Sequence, residues 1–148
     1  MNKLGSVFID ANVLIYFLDE TADQHGDTIS ILQEMIDNEV ILYTSHHVIE
    51  EVLFIVSRLT DDKTALIDAV QTISKLPGIH LVEPNIDFSF AKRYIRLWFE
   101  LKLGINDALL LQIMIDNKIK YIFSFDADFI KQSIKFGITS INLKKNVS

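Results

Sequence analysis

The chain has 148 residues, 49% of them hydrophobic and 23% charged, with 5 Gly, 2 Pro and a formal net charge of −6. Such a composition excludes a disordered or fibrous protein, and the length suits one domain, residues 1–148, with an ordinary buried core. No Cys is present, so a disulfide framework, a thiolate nucleophile and a thiolate metal site are all excluded, which fits a reducing cytoplasm. No apolar run reaches the roughly 18 residues of a membrane span, and Met1–Ser6 lacks the basic and then apolar segments of a secretory signal. A soluble cytoplasmic protein is expected. An acidic chain binds polyanions poorly by itself, but bound dications would offset much of that charge where a phosphate has to approach.

Val7-Phe8-Ile9 is short and apolar and reads as a buried strand. Asp10-Ala11-Asn12 follows at once, leading into an apolar helix from Val13 to about Leu18. Asp10 thus stands at a strand's carboxyl end, where ligands bind in open parallel sheets, although Asp and Asn also cap helices well. Both readings stay open on this stretch alone. The polar segment Asp19–Asp27 reads as a loop, and Asp27-Thr28 as the cap of a helix through Ile29, Leu32, Met35 and Ile36. Val40–Tyr43 is a second strand, ending in Thr44-Ser45.

From His46 to about Leu59 the pattern is helical, with Val48, Ile49, Val52, Ile55, Val56 and Leu59 on one arc. Glu50 falls roughly opposite that arc and Glu51 at its edge, so Glu51 is the one that can lean toward a cleft beside the core. A flanking Glu that snorkels to water is the ordinary alternative. Asp61-Asp62 caps a helix from Lys63 to about Leu76, ended by Pro77-Gly78. Ile79–Val82 is a strand stopped by Pro84. Asn85–Leu103 is the longest predicted helix, and its apolar residues, Phe88, Phe90, Tyr94, Trp98 and Phe99 among them, cover far more than the arc of about 100° that one core contact uses. That surplus predicts cover by a partner or by the preceding helix.

Ile105–Lys118 is apolar nearly all round and is expected at the centre of the fold. Asp107 lies in its first turn, on the side opposite Gln112 and Asp116. It is either a partner of the helix dipole or a charge held by something cationic, and Asn106 is available as the cap. Tyr121-Ile122-Phe123 repeats the first strand's arrangement, apolar residues and then acid, in Ser124-Phe125-Asp126-Ala127-Asp128. A last strand over Ile138–Leu143 completes an alternation of short strands and helices. This is the signal of an α/β fold, a parallel sheet flanked by helices on both faces with right-handed crossovers.

Asp10, Glu51, Asp107 and Asp126 stand out as acids at strand ends or helix starts. Crowded carboxylates repel, and a hard dication relieves them; an oxygen-only set suits Mg²⁺ or Mn²⁺. His46 and His47 are adjacent and cannot share a helix face, and His25 and His80 stand alone, so surface or packing roles are expected for all of them.

These residues carry a resemblance. Asp10 in FIDANVLIY, Glu51 in TSHHVIEEV, Asp107 in GINDALLL and Asp126 in FSFDADF together resemble the PIN domain, most of all its single-domain ribonuclease toxins of VapC type, over about Val7 to Leu143. The resemblance implies a metal-dependent ribonuclease. Asp10, Asp107 and Asp126 would hold one or two Mg²⁺ or Mn²⁺ ions, and Glu51 would complete the site or orient the attacking water. Asn12 and Ser124 would be neighbouring polar positions and Asp128 an accessory acid. The resemblance also points to an RNA substrate, a homodimer and an antitoxin partner. Ser124 stands where the family commonly has Thr, and Phe125 where a polar or basic residue is frequent. Two rivals are a non-catalytic interaction module and an aspartyl-nucleophile phosphotransferase. The latter usually carries a second Asp two residues after the first, where this chain has Asn12.

Overall fold

Val7, Phe8 and Ile9 have no polar residue between them, and all are fully buried. Such a strand has both faces covered, which is the condition of a central strand in a parallel sheet. In the computed structural model, which describes residues 5–85 and 87–141, it is β1, Ser6–Ile9, the middle of five parallel strands. The others are β2 (Ile41–Thr44), β3 (Ile79–Leu81), β4 (Tyr121–Phe123) and β5 (Thr139–Ser140), in the order β3-β2-β1-β4-β5. Phe8 pairs with Tyr43 on one side and with Ile122 on the other.

The helices are α1 (Ala11–Leu18), α2 (His25–Asp37), α3 (His46–Leu59), α4 (Lys63–Ser74), α5 (Phe88–Glu100), α6 (Ile105–Asp116) and α7 (Ala127–Ser133). From β1 to β3 the chain steps one way across the sheet, and from β3 onward it steps back past β1. With right-handed crossovers that reversal puts α1–α4 on one face and the later helices on the other. Accordingly α1 packs on α2, α3 and α4, whereas α5 packs on α6. The reversal leaves a crevice between the carboxyl ends of β1 and β4.

Helix α6 is central, as its composition predicts: Ala108, Leu110, Leu111, Ile113 and Met114 are fully buried. Its two polar sides do different work. Gln112 Nε2 donates to Asp116 Oδ1 at 2.8 Å and Arg93 Nη2 to Asp116 Oδ2 at 2.7 Å, fastening α5, while Asp107 lies on the other side.

Several boundaries differ from the sequence reading. Helix α2 begins at His25 behind Gln24, with Asp27 inside its first turn, because Thr28 N–H already donates to Gln24 O. Helix α5 is shorter than Asn85–Leu103: Asp87 caps it by accepting from Phe90 N–H at 2.9 Å, and Leu101 turns extended to bury its side chain. Gly104, not Asn106, precedes α6, since the Asn106 side chain faces His47 instead. Strand β5 is Thr139–Ser140, and the part of the expected strand beyond 141 lies outside the described residues. On α3, Val48, Ile49 and Val52 are buried but Ile55 and Leu59 are exposed. A helix of that length runs about 21 Å against about 13 Å for β2, so its last turns overhang the sheet.

Candidate functional site

Asp10 and Asp126 sit at the ends of the adjacent strands β1 and β4, and each caps the helix that follows. Asp10 N–H donates to Phe123 O at 3.1 Å, which carries the β1–β4 pairing one residue past the strand. Its Oδ1 accepts from Ala11 N–H at 2.7 Å, and its Oδ2 from Ser124 Oγ at 2.6 Å and Asn12 Nδ2 at 3.4 Å. Asp126 Oδ1 accepts from Asp128 N–H at 3.0 Å and Phe129 N–H at 3.1 Å. Its Oδ2 accepts no hydrogen bond from the described residues. Capping and site readings are therefore compatible: one oxygen holds the helix and fixes where the other points.

Ser124 is the hub of this end of the sheet. Its hydroxyl donates to Asp10 and accepts from Asp126 N–H at 3.1 Å and Asn12 Nδ2 at 3.3 Å. Asn12 Oδ1 in turn accepts from Phe125 N–H at 3.1 Å, tying the two strand-end loops together. The Phe125 ring meets Tyr16 edge-on with centroids 5.2 Å apart. Asp128 is exposed and contributes its amide, not its carboxylate, to the Asp126 cap.

Glu51 and Asp107 approach from α3 and α6. Glu51 has 30% of its side chain exposed against 63% for Glu50, as the helical arc predicts. The acids sense one another. Burial raises the Asp10 carboxyl above its usual range, against the Ser124 and Ala11 hydrogen bonds, and Asp126 adds to the rise. Burial also raises Glu51; His47 opposes this and Asp10 adds to it. Asp107 is pushed up to about 6, by burial first and then by Asp126, Asp10 and Glu51.

Among the described residues no Lys or Arg forms an ion pair with any of these four acids. One buried and three partly buried carboxylates that repel one another, without a protein cation, are a donor set that fits a hard divalent ion. No three His or carboxylate side chains among the described residues stand close enough to grip an ion as they are. Ion binding would draw the acids inward or complete the shell with water, as Mg²⁺ usually does.

His47 is the residue that sequence reasoning left at the surface. Its Nε2 lies 3.2 Å from Asn106 Oδ1 and 3.6 Å from Glu51 Oε1. The signal was available, since His47 and Glu51 are four residues apart and so share a helix face.

Fold and site together define a parallel α/β protein with an acidic crevice where its crossovers reverse. The family model of the PIN domain matches residues 7–135, and the chain belongs to the PIN-domain family. No curated protein matches it significantly in sequence. Among solved structures it is similar to VapC20 of Mycobacterium tuberculosis, described as a sarcin-ricin-loop-cleaving toxin: TM-score 0.67, 17% identity, 92% of this chain and 98% of that one covered. VapBC2 of Rickettsia felis, bound to a DNA fragment from its promoter, gives TM-score 0.67 and 17% identity over 93% and 98%. VapBC-1 of nontypeable Haemophilus influenzae gives 0.66 and 14% over 94% and 98%. At these identities the likeness establishes the fold.

Proposed function

We propose that the protein is an Mg²⁺- or Mn²⁺-dependent endoribonuclease, the cytoplasmic toxin of a toxin–antitoxin pair. The observation that carries this reading is the gathering of four acids at one end of the sheet with no Lys or Arg paired to them among the described residues; the Asp107 carboxyl is raised by burial first and then by Asp126, Asp10 and Glu51. The description of VapC20, on the same fold, as a sarcin-ricin-loop-cleaving toxin supports it.

Asp10, Asp107 and Asp126 would hold the cation. When bound, it lowers the pKa of water and draws charge from the phosphate oxygens. Glu51, whose carboxyl is raised, is suited to orient the attacking water and accept its proton. Ser124 and Asn12 keep Asp10 aimed, and Asp128 supports Asp126 through its amide. The water oxygen bonds to phosphorus as the bond to the 3′ oxygen breaks and that oxygen takes up a proton. Since the ribose 2′-hydroxyl is not used, the products carry 5′-phosphate and 3′-hydroxyl ends.

A homodimer and an antitoxin belong to the same proposal. Phe88, Trp98 and Phe99 of α5 are exposed, as are Phe54, Ile55 and Leu59 of α3 and Ile67 of α4. An apolar cleft of about 290 Å³, lined by Ile49, Leu53, Val70, Ile73 and Leu81, runs beside the edge strand β3. Exposed apolar area of this extent on a small protein marks sites of association.

The test is incubation with RNA, with Mn²⁺ or with EDTA, followed by mass spectrometry of the ends. Cleavage that needs the ion and leaves 5′-phosphates is expected. A 2′,3′-cyclic phosphate would sink the mechanism, and phosphorylation of Asp10 without RNA cleavage would favour the phosphotransferase.

A further inference from the structure

As Ser124 and Asn12 join the two strand ends, so His47 joins α3, which carries Glu51, to α6, which carries Asp107. It stands one turn before Glu51 on α3 and is a quarter exposed. Its Nε2 faces Glu51 Oε1 at 3.6 Å and Asn106 Oδ1 at 3.2 Å. On the solvent side its Nδ1 lies 3.8 Å from Glu50 Oε2. Nε2 and Asn106 Oδ1 are at hydrogen-bond distance, whereas Glu51 Oε1 lies just beyond it. Asn106 immediately precedes Asp107 in the first turn of α6. Among the described residues, moreover, His47 is the sole basic side chain within 4 Å of a carboxylate oxygen of any of the four acids.

We propose that His47 is a positioning residue: its hydrogen bond to Asn106 ties the turn of α3 that leads into Glu51 to the first turn of α6, and so sets the spacing between Glu51 and Asp107 before a cation arrives. The inference rests on the ribonuclease reading for the purpose of that spacing. Glu51 and Asp107 stand on separate helices, α3 and α6, so the distance between them depends on how these helix starts are held together. Fixing the two helix starts in advance removes that ordering step from ion binding. The contact joins residues 59 positions apart, and neither partner is itself one of the acids.

The experiment is a calorimetric Mn²⁺ titration of the full chain as wild type, His47→Phe, His47→Gln and Asn106→Leu, with steady-state RNA cleavage at saturating Mn²⁺. Phe keeps the ring volume and removes the donor, while Gln places an amide N–H near the Nε2 position. Expected are a loss of Mn²⁺ affinity of about tenfold in His47→Phe and Asn106→Leu and a lower kcat with KM for RNA held within about twofold. His47→Gln should recover most of the affinity. Should His47→Phe fail to fold, Asn106→Leu reads the same contact from its other side, with the same expectations. Wild-type Mn²⁺ affinity in the Phe or Leu variant, or a Gln variant no better than Phe, overturns the proposal. A raised KM at unchanged Mn²⁺ affinity also overturns it, by assigning His47 to the RNA. If the wild type neither binds Mn²⁺ nor cuts RNA, the ribonuclease reading falls with it; if the wild type does both and the variants match it, this inference falls alone.

Discussion

Asp107→Asn gives the acid cluster its sharpest thermodynamic test. The Asp107 carboxyl rises from 3.8 in an ordinary setting to about 6 in the fold. Between those values the folded protein keeps a proton that the unfolded chain has released, so metal-free stability falls as pH rises through the window from about 4 to about 6. At roughly 1.4 kcal/mol per pKa unit the full cost would approach 3 kcal/mol, but the residue is partly open to water and screening reduces this to roughly 1 kcal/mol. Asn removes that cost and gives up an interaction with the α6 dipole of about 0.3–1 kcal/mol. The variant should therefore melt, in EDTA near pH 7.5, between the wild-type temperature and about 4 °C above it, with the gap closing near pH 4. Adding Mn²⁺ at a hundredfold excess over Kd should stabilise the wild type by about 2.7 kcal/mol and the variant far less. Calorimetric melts at both pH values, with and without Mn²⁺, read all of this. A metal-free variant several degrees below the wild type at pH 7.5 would refute the reasoning, because the Asp107 anion would then be stabilising the fold.

Asp10→Asn should abolish RNA cleavage and shrink the Mn²⁺-induced rise in melting temperature while leaving the metal-free melt unchanged or higher, since Asn caps about as well as Asp; a variant that still cuts RNA and keeps the full Mn²⁺ shift would remove Asp10 from the site. Ser124→Ala strands the Asp126 amide and takes the 2.6 Å donor from Asp10, so a stability loss of about 1–2 kcal/mol and a 10- to 100-fold drop in cleavage, roughly, are expected, with Ser124→Thr close to wild type. Denaturant melts and cleavage rates check both variants. Sedimentation at tens of micromolar should show a dimer or a complex with a small partner, weakened by Phe99→Asp or Leu59→Asp; a strictly monomeric protein with no partner recovered from cells would count against the association.

What could be read from the sequence was what is contiguous. Strand and acid lie side by side in Val7–Asp10 and in Tyr121–Asp126, so their repetition was visible without coordinates. The helical arc separated Glu51 from Glu50 because helix geometry is local. The separate partners of the two carboxylate oxygens were not visible: only a structure shows Asp10 Oδ1 on the Ala11 amide and Oδ2 on Ser124, or both helix amides on the same oxygen of Asp126. His47 escaped for a related reason. Its partner Asn106 is 59 residues away, and a His pair without metal spacing looks inert in isolation. The exposed end of α3 was hidden because no residue in a helix records how short the strand beneath it is.

The arrangement of the sheet also sets when this crevice can exist. Asp10 directly follows the first strand, yet the hydroxyl that donates to it arrives 114 residues later, and the strand that pairs with β1 on that side is Tyr121–Phe123. During synthesis, the segment through α4 and β3 can gather on one face of β1 while the other edge of β1 stays bare. Through that interval neither Ser124 nor Asp126 has emerged, and the amides that cap Asp126 are still to come. Until those residues emerge, Asp10 and Glu51 are without them, and β1 keeps an unpaired apolar edge that invites misassembly. Docking of β4 closes that edge and brings the last acid to the crevice in a single event, so the proposed catalytic competence would appear only when the fold is all but complete.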